Sequence, residues 1–91
     1  MGLSKQNYKR NEIVITERDL KVLIIIKIFS KLNLYELSLI SEIDRGNLSN
    51  ILSKLSKAGL VDYYWVKNEK AEKEIQLTKN GRRLLNELEI F

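Results

Sequence analysis

The side chains most able to do chemistry in this chain lie on one stretch, "DRGNLSNILSKLSK" at 44–57. They are Arg45, Asn47, Ser49, Asn50, Ser53, Lys54 and Lys57, and none is acidic. If Leu48, Ile51, Leu52 and Leu55 face inward on a helix, these residues point outward or to the flanks. Arg, Asn and Ser are the types that bond base edges in a DNA major groove, a good bidentate contact giving roughly 1–3 kcal/mol of discrimination. Gly46 leaves room for a phosphate near the positive end of the helix, and Asp44 is placed to cap it. Asn and Ser are mediocre helix formers, so a face serving solubility alone would hold Glu, Lys, Gln or Ala. A solvated amphipathic face is the competing account of the same pattern.

Other chemistries find few residues. With no cysteine and no histidine the chain lacks disulfides, thiol metal sites, the commonest metal ligand and the commonest general base. The twelve carboxylates show no spacing of an acid/base pair, and no phosphate loop or nucleophile motif is present. We therefore expect no enzyme, no cofactor and no metal. Sixteen Lys and Arg against twelve Asp and Glu give a net charge of +4, which suits an anionic partner without proving one. The longest apolar run, "VLIII" at 22–26, is too short to span a membrane, and no signal segment opens the chain. A cytoplasmic protein is expected.

The elements that must position that face follow from periodicity and stop signals. Residues 1–12 read as a flexible basic arm ahead of one domain over 13–91. "TERD" offers Thr16 as a cap, with Asp19 a weaker partner than Glu or Gln, for a helix over about 17–31. That helix has one stripe of Leu20, Leu23, Ile24 and Ile28 and a second of Val22, Ile25, Ile26 and Phe29, leaving little polar face. The second stripe suggests a subunit interface. Asn33 and Glu36 form a capping box for a short helix burying Leu34, Leu37 and Ile40, and a tight turn leads to the helix at 44–57. "KAGL" ends that helix at Gly59. The period then changes to two in "VDYYWVK" and "EIQLT", an antiparallel hairpin whose charged tip is "NEKAEK". Thr78 caps a last helix, with Gly81 a weak point in its first turn and Leu84, Leu85, Leu88 and Phe91 on its apolar side.

The order helix, short helix, tight turn, helix, charged hairpin, helix is a helix-turn-helix with an appended wing. Three stretches, "LYELSLISEIDRGNLSNILSKLSKAGLV", "DYYWVKNEKAEKEIQLT" and "LTKNGRRLL", resemble the winged-helix domains of MarR- and ArsR-type transcription regulators, found in bacteria, archaea and archaeal viruses. The resemblance covers about residues 16–91. It implies an α+β, mainly α fold of three to four helices and a two- or three-stranded hairpin wing. It makes 44–57 the recognition helix and 62–78 the wing, with Lys67, Lys70 and Lys73 reaching backbone phosphates of the minor groove; a merely solvated charged loop is the alternative. Many such proteins are two-fold dimers joined by first and last helices. This fits an interface of Val22, Ile25, Ile26, Phe29, Leu85, Leu88 and Phe91. Full-length MarR proteins carry longer dimerisation helices than this chain supplies, and the lack of Cys and His departs from ArsR-type metal sensors.

The expected function is a homodimeric, sequence-specific regulator of double-stranded DNA, with repression by occlusion the economical mode for a single small domain. Two alternatives stand beside it: a non-specific architectural DNA protein, and a winged helix whose apolar surface binds another protein. Tyr63, Tyr64 and Trp65 offer rings for base stacking, although strand alternation sends some of them into the core. Arg82 and Arg83 read as surface charges near a helix start. High Ile, Lys and Asn usage points to an A·T-rich genome, as of an archaeon or its virus.

Overall fold

Three helices gather around Leu23, Leu37, Leu48, Leu52 and Leu55, all fully buried, and a three-stranded sheet and a fourth helix close the remaining sides. The computed structural model describes residues 8–10, 13–65 and 73–88. Strand β1 (Tyr8–Arg10) pairs antiparallel with β2 (Ile13–Ile15), Tyr8 opposite Ile15 and Arg10 opposite Ile13. The expected arm over 1–12 is thus in part a strand. Ile15 is buried while Val14 is exposed, so β2 is anchored and its free backbone edge takes up the chain before it.

Helix α1 (Glu17–Phe29) begins with a complete capping box. Thr16 Oγ1 accepts the Asp19 N–H at 3.3 Å, and Asp19 Oδ2 accepts the Thr16 N–H at 2.8 Å. The helix ends two residues short of expectation, at Ser30, whose backbone lies at φ 62°, ψ −109°. Leu32 and Asn33 form strand β3 instead, where buried Leu32 pairs opposite Ile75. A sheet partner here outweighs one more half-turn of helix.

The reading of Val22, Ile25 and Ile26 as surface for a partner is corrected by the packing: all three lie in the chain's own core. Helix α1 is covered by α2 on one side and by β5 and α4 on others, so both stripes find intramolecular partners. Its last turn is left out, with Ile28 58% and Phe29 50% exposed, and an apolar groove runs beside half-buried Ile24.

Helix α2 (Leu34–Ser41) opens with the Asn33–Glu36 box, at 2.7 and 3.1 Å. Leu37 is fully buried and Leu34 half-buried, but Ile40, expected inside, is exposed. The helix stops at Glu42 in the left-handed region (φ 60°, ψ 29°). Helix α3 (Arg45–Lys57) follows, burying Leu48, Ile51, Leu52 and Leu55. It ends in a Schellman motif: Leu60 N–H donates to the Leu55 carbonyl at 3.0 Å, Gly59 N–H to the Ser56 carbonyl at 2.9 Å, and Gly59 supplies φ 75°.

Strands β4 (Val61–Trp65) and β5 (Lys73–Leu77) form the wing hairpin, in register from Val61 opposite Leu77 to Trp65 opposite Lys73. The sheet order is β3-β5-β4, all antiparallel, with β5 central. Helix α4 (Lys79–Glu87) starts at Thr78, whose Oγ1 accepts the Gly81 N–H at 3.0 Å and donates to the Gly59 carbonyl at 2.7 Å. That double use pins α4 to the end of α3. Leu85 is fully buried, so its expected interface role is likewise corrected to core, while Leu84 and Leu88 are half-buried.

Candidate nucleic-acid interface

The outward face of α3 is built by its stripe. With four apolar side chains turned inward, Arg45, Gly46, Asn47, Asn50, Ser53 and Lys57 are exposed, and Ser49 and Lys54 are half-buried at the flanks. The Asp44 cap holds the first turn: Oδ1 accepts the Asn47 N–H at 2.9 Å. Hydrogen bonding from the Asn47 backbone is the main cause that holds the Asp44 carboxyl below the usual carboxylate range, with the Asn47 amide, the Gly46 N–H and the charge of Arg18 acting in the same direction. A Cβ on Gly46 would meet this carboxylate at 3.3 Å and nothing else nearby.

The side chains of this face differ in availability. Asn47 Nδ2 donates to Asp44 Oδ2 at 2.6 Å, which engages one of its two N–H donors and fixes the orientation of the amide. Asn50 has no hydrogen-bond partner among the described residues, so its amide is at liberty to read a base edge. Ser49 Oγ lies 3.4 Å from Tyr63 Oη, tying α3 to the wing strand β4. Lys54 forms an ion pair with Asp19, Nζ to Oδ2 at 2.5 Å, and its charge is held there.

Sequence reasoning missed Arg18. It is exposed on the first turn of α1, yet with Thr16, Asp19, Asn47, Asn50, Ile51 and Lys54 it lines one groove of about 250 Å³ between α1 and α3. In the sequence "TERD" carries only a capping signal, and nothing local places Arg18 beside Asn50. Of the wing residues, Lys67 and Lys70 lie outside the described residues, and Lys73 is placed only as the strand position opposite Trp65. Tyr63 is half-buried and packs against the core, as strand alternation suggested for part of the aromatic run. Arg82 and Arg83 are exposed on α4. Phe91 lies outside the described residues, while Phe29 and Leu88 keep surface that a partner could cover. Among the described residues no cluster of acidic side chains forms a metal site, and no helix is long and apolar enough to cross a membrane.

By sequence the chain matches no protein-family model and no curated protein. Its structure does find relatives. It is similar to MarR from E. coli in the apo form, with TM-score 0.74 and 27% identity over 80% of this chain and 54% of that one. A MarR mutant complexed with operator DNA gives TM-score 0.75 and 27% identity, over 80% and 52% of the two chains. NadR in complex with 4-hydroxyphenylacetate gives TM-score 0.74 and 29% identity, over 80% and 52%. The chain spans about half the length of these solved proteins. With the exposed α3, the β4–β5 hairpin beside it and these neighbours, the chain has the winged helix-turn-helix fold of the MarR-family transcription regulators.

Proposed function

We propose that the protein is a transcription regulator that binds double-stranded DNA sequence-specifically as a homodimer, with α3 in the major groove and the wing on the flanking backbone. The observation that carries this reading is the face of α3. Arg45, Asn50, Ser53 and Lys57 stand exposed on a helix whose inner side is fully packed, and no acid interrupts them apart from the cap Asp44. The likeness to a MarR mutant complexed with operator DNA supports the same docking. Arg45, Gly46, Asn47, Ser49, Asn50, Ser53 and Lys57 are the proposed contacts on α3, with Lys67, Lys70 and Lys73 on the wing. Occlusion of a promoter, and so repression, is the mode we propose.

A dimer would use surface that the core leaves over. Exposed Ile28 and Phe29, half-buried Ile24, Leu84 and Leu88, and an apolar groove of about 590 Å³ beside Ile24 are the available parts. Selection of bound duplexes from a random library, combined with sedimentation of the free protein, tests the proposal. The expected result is a two-fold symmetric motif with half-sites about 34 Å apart, and a dimer in solution. Binding without enrichment would replace specific regulation by an architectural role, and no binding at all would point to a protein partner.

A further inference from the structure

Asp19 is the only charged side chain buried among the described residues, at 1% exposure. A buried carboxylate is costly unless it is paired and hydrogen-bonded. Here one oxygen, Oδ2, serves two partners: the Thr16 N–H at 2.8 Å and Lys54 Nζ at 2.5 Å. The first bond completes the cap of α1, and an exposed Glu at this position would have completed it as well. The second reaches across to the recognition helix. Lys54 stands one turn after Asn50, on the same flank of α3, and both line the groove that Asp19 floors. Helix α1 packs on α2, and α2 on α3, but α1 and α3 meet only lightly through their backbones. Their apolar side chains share the core, and the ion pair adds a directional polar tie between them at the edge of the groove.

Resting on the DNA-binding reading above, we infer that Asp19 and Lys54 form a positioning pair, which fixes the rotation of α3 against α1 and so aims Asn50 and Arg45 at base edges. Lys54 acts through Asp19, not as a ligand of phosphate. The two roles predict opposite effects of one change. Asp19→Asn keeps an acceptor for the Thr16 N–H but removes the charge. If Lys54 were a phosphate ligand held back by Asp19, that variant would free it and tighten binding to every duplex, with a steeper salt dependence. If the pair positions α3, the variant loosens α3 and lowers the preference for the selected sequence.

The test compares wild type, Asp19→Asn, Lys54→Met and Lys54→Arg, each first shown to be folded by thermal melting. Affinities are measured for the selected duplex and for a random duplex over a salt series, and amide exchange is followed along the chain without DNA. Expected are a loss of about tenfold in selected-over-random preference for Asp19→Asn and Lys54→Met, the size of one misplaced base contact. Random-duplex affinity of Asp19→Asn should barely move, Lys54→Arg should retain the preference, and exchange should rise across α3 but not α4. Tighter binding of Asp19→Asn to both duplexes overturns the inference, as does unchanged exchange in α3. A wild-type protein with no sequence preference would instead refute the proposed function, and the exchange measurement would then decide the pairing by itself.

Discussion

Replacing Gly81 by alanine sets two effects against each other, and the structure decides the sign. Gly81 is the third residue of α4, and by helix propensity alone alanine would stabilise by up to about 1 kcal/mol. A Cβ at Gly81, however, would lie 2.2 Å from the Leu60 carbonyl oxygen and 2.9 Å from Leu77 Cδ2. The first is backbone and has no rotamer to escape into. Restoring normal contact requires about 1 Å of separation between α4 and the turn after α3. That shift would stretch the bond from Thr78 Oγ1 to the Gly59 carbonyl from 2.7 Å beyond hydrogen-bond range, and strain the Thr78 N–H bond to the same Leu60 oxygen. Overpacking costs about 1–3 kcal/mol, and a lost hydrogen bond about 1 kcal/mol more. Steric cost therefore exceeds the propensity gain by about 1–3 kcal/mol, which in a domain of this size lowers Tm by about 5–20 °C. Circular dichroism melts of wild type and Gly81→Ala measure the difference, with Asn86→Ala, on the exposed side of the same helix, as control. An equal or higher Tm for Gly81→Ala would show that the close approach of α4 to Leu60 does not hold in solution.

Three further outcomes are expected. Asn50→Ala should weaken binding to the selected duplex by about tenfold while leaving random-duplex binding nearly intact, and equal losses on both would remove its base-reading role. Ser30→Gly should stabilise by about 1 kcal/mol, because Ser30 holds a positive φ that glycine adopts without strain; the urea midpoint should rise at constant m, and a fall would show that no strain is relieved. Asp44 has its folded-state carboxyl lowered chiefly by the Asn47 N–H, so its contribution is present above the unfolded value near 4 and is lost as the pH falls through the lower folded one. The Tm gap between wild type and Asp44→Ala should accordingly narrow below about pH 4, and a constant gap between pH 5 and 2.5 would contradict the cap.

What could be read before folding was local. The stripe of Leu48, Ile51, Leu52 and Leu55, the "KAGL" stop and the Asn33–Glu36 box all act within a few residues, and all stand as expected. Features that depend on distant elements were not legible. Val22, Ile25 and Ile26 looked surplus because the elements covering them, β5 and α4, come from the far end of the chain. Strand β3 is only two residues long and exists through its pairing with β5. Lys54 read as one of the candidate DNA contacts on the 44–57 helix, and no local rule links it to Asp19. The outward face of α3 was thus visible as a set of side chains, but their availability was not, since Asp44, Tyr63 and Asp19 each engage one of them.

The central place of β5 has a consequence for the order in which the protein is made. Ile75 stands opposite both Leu32, ahead of the helix-turn-helix, and Tyr63, just after it. The two outer strands do not touch each other; each bonds only to β5. While the chain emerges from the ribosome, both ends of the helical unit therefore lack their hydrogen-bond partners until the segment 73–77 has been synthesised and slides between them. That insertion joins contacts distant in sequence, the slow kind of step in folding. A nascent chain arrested before Lys73 would present two bare strand edges to its neighbours, and the interval before β5 is in place is the one in which this domain is open to aggregation.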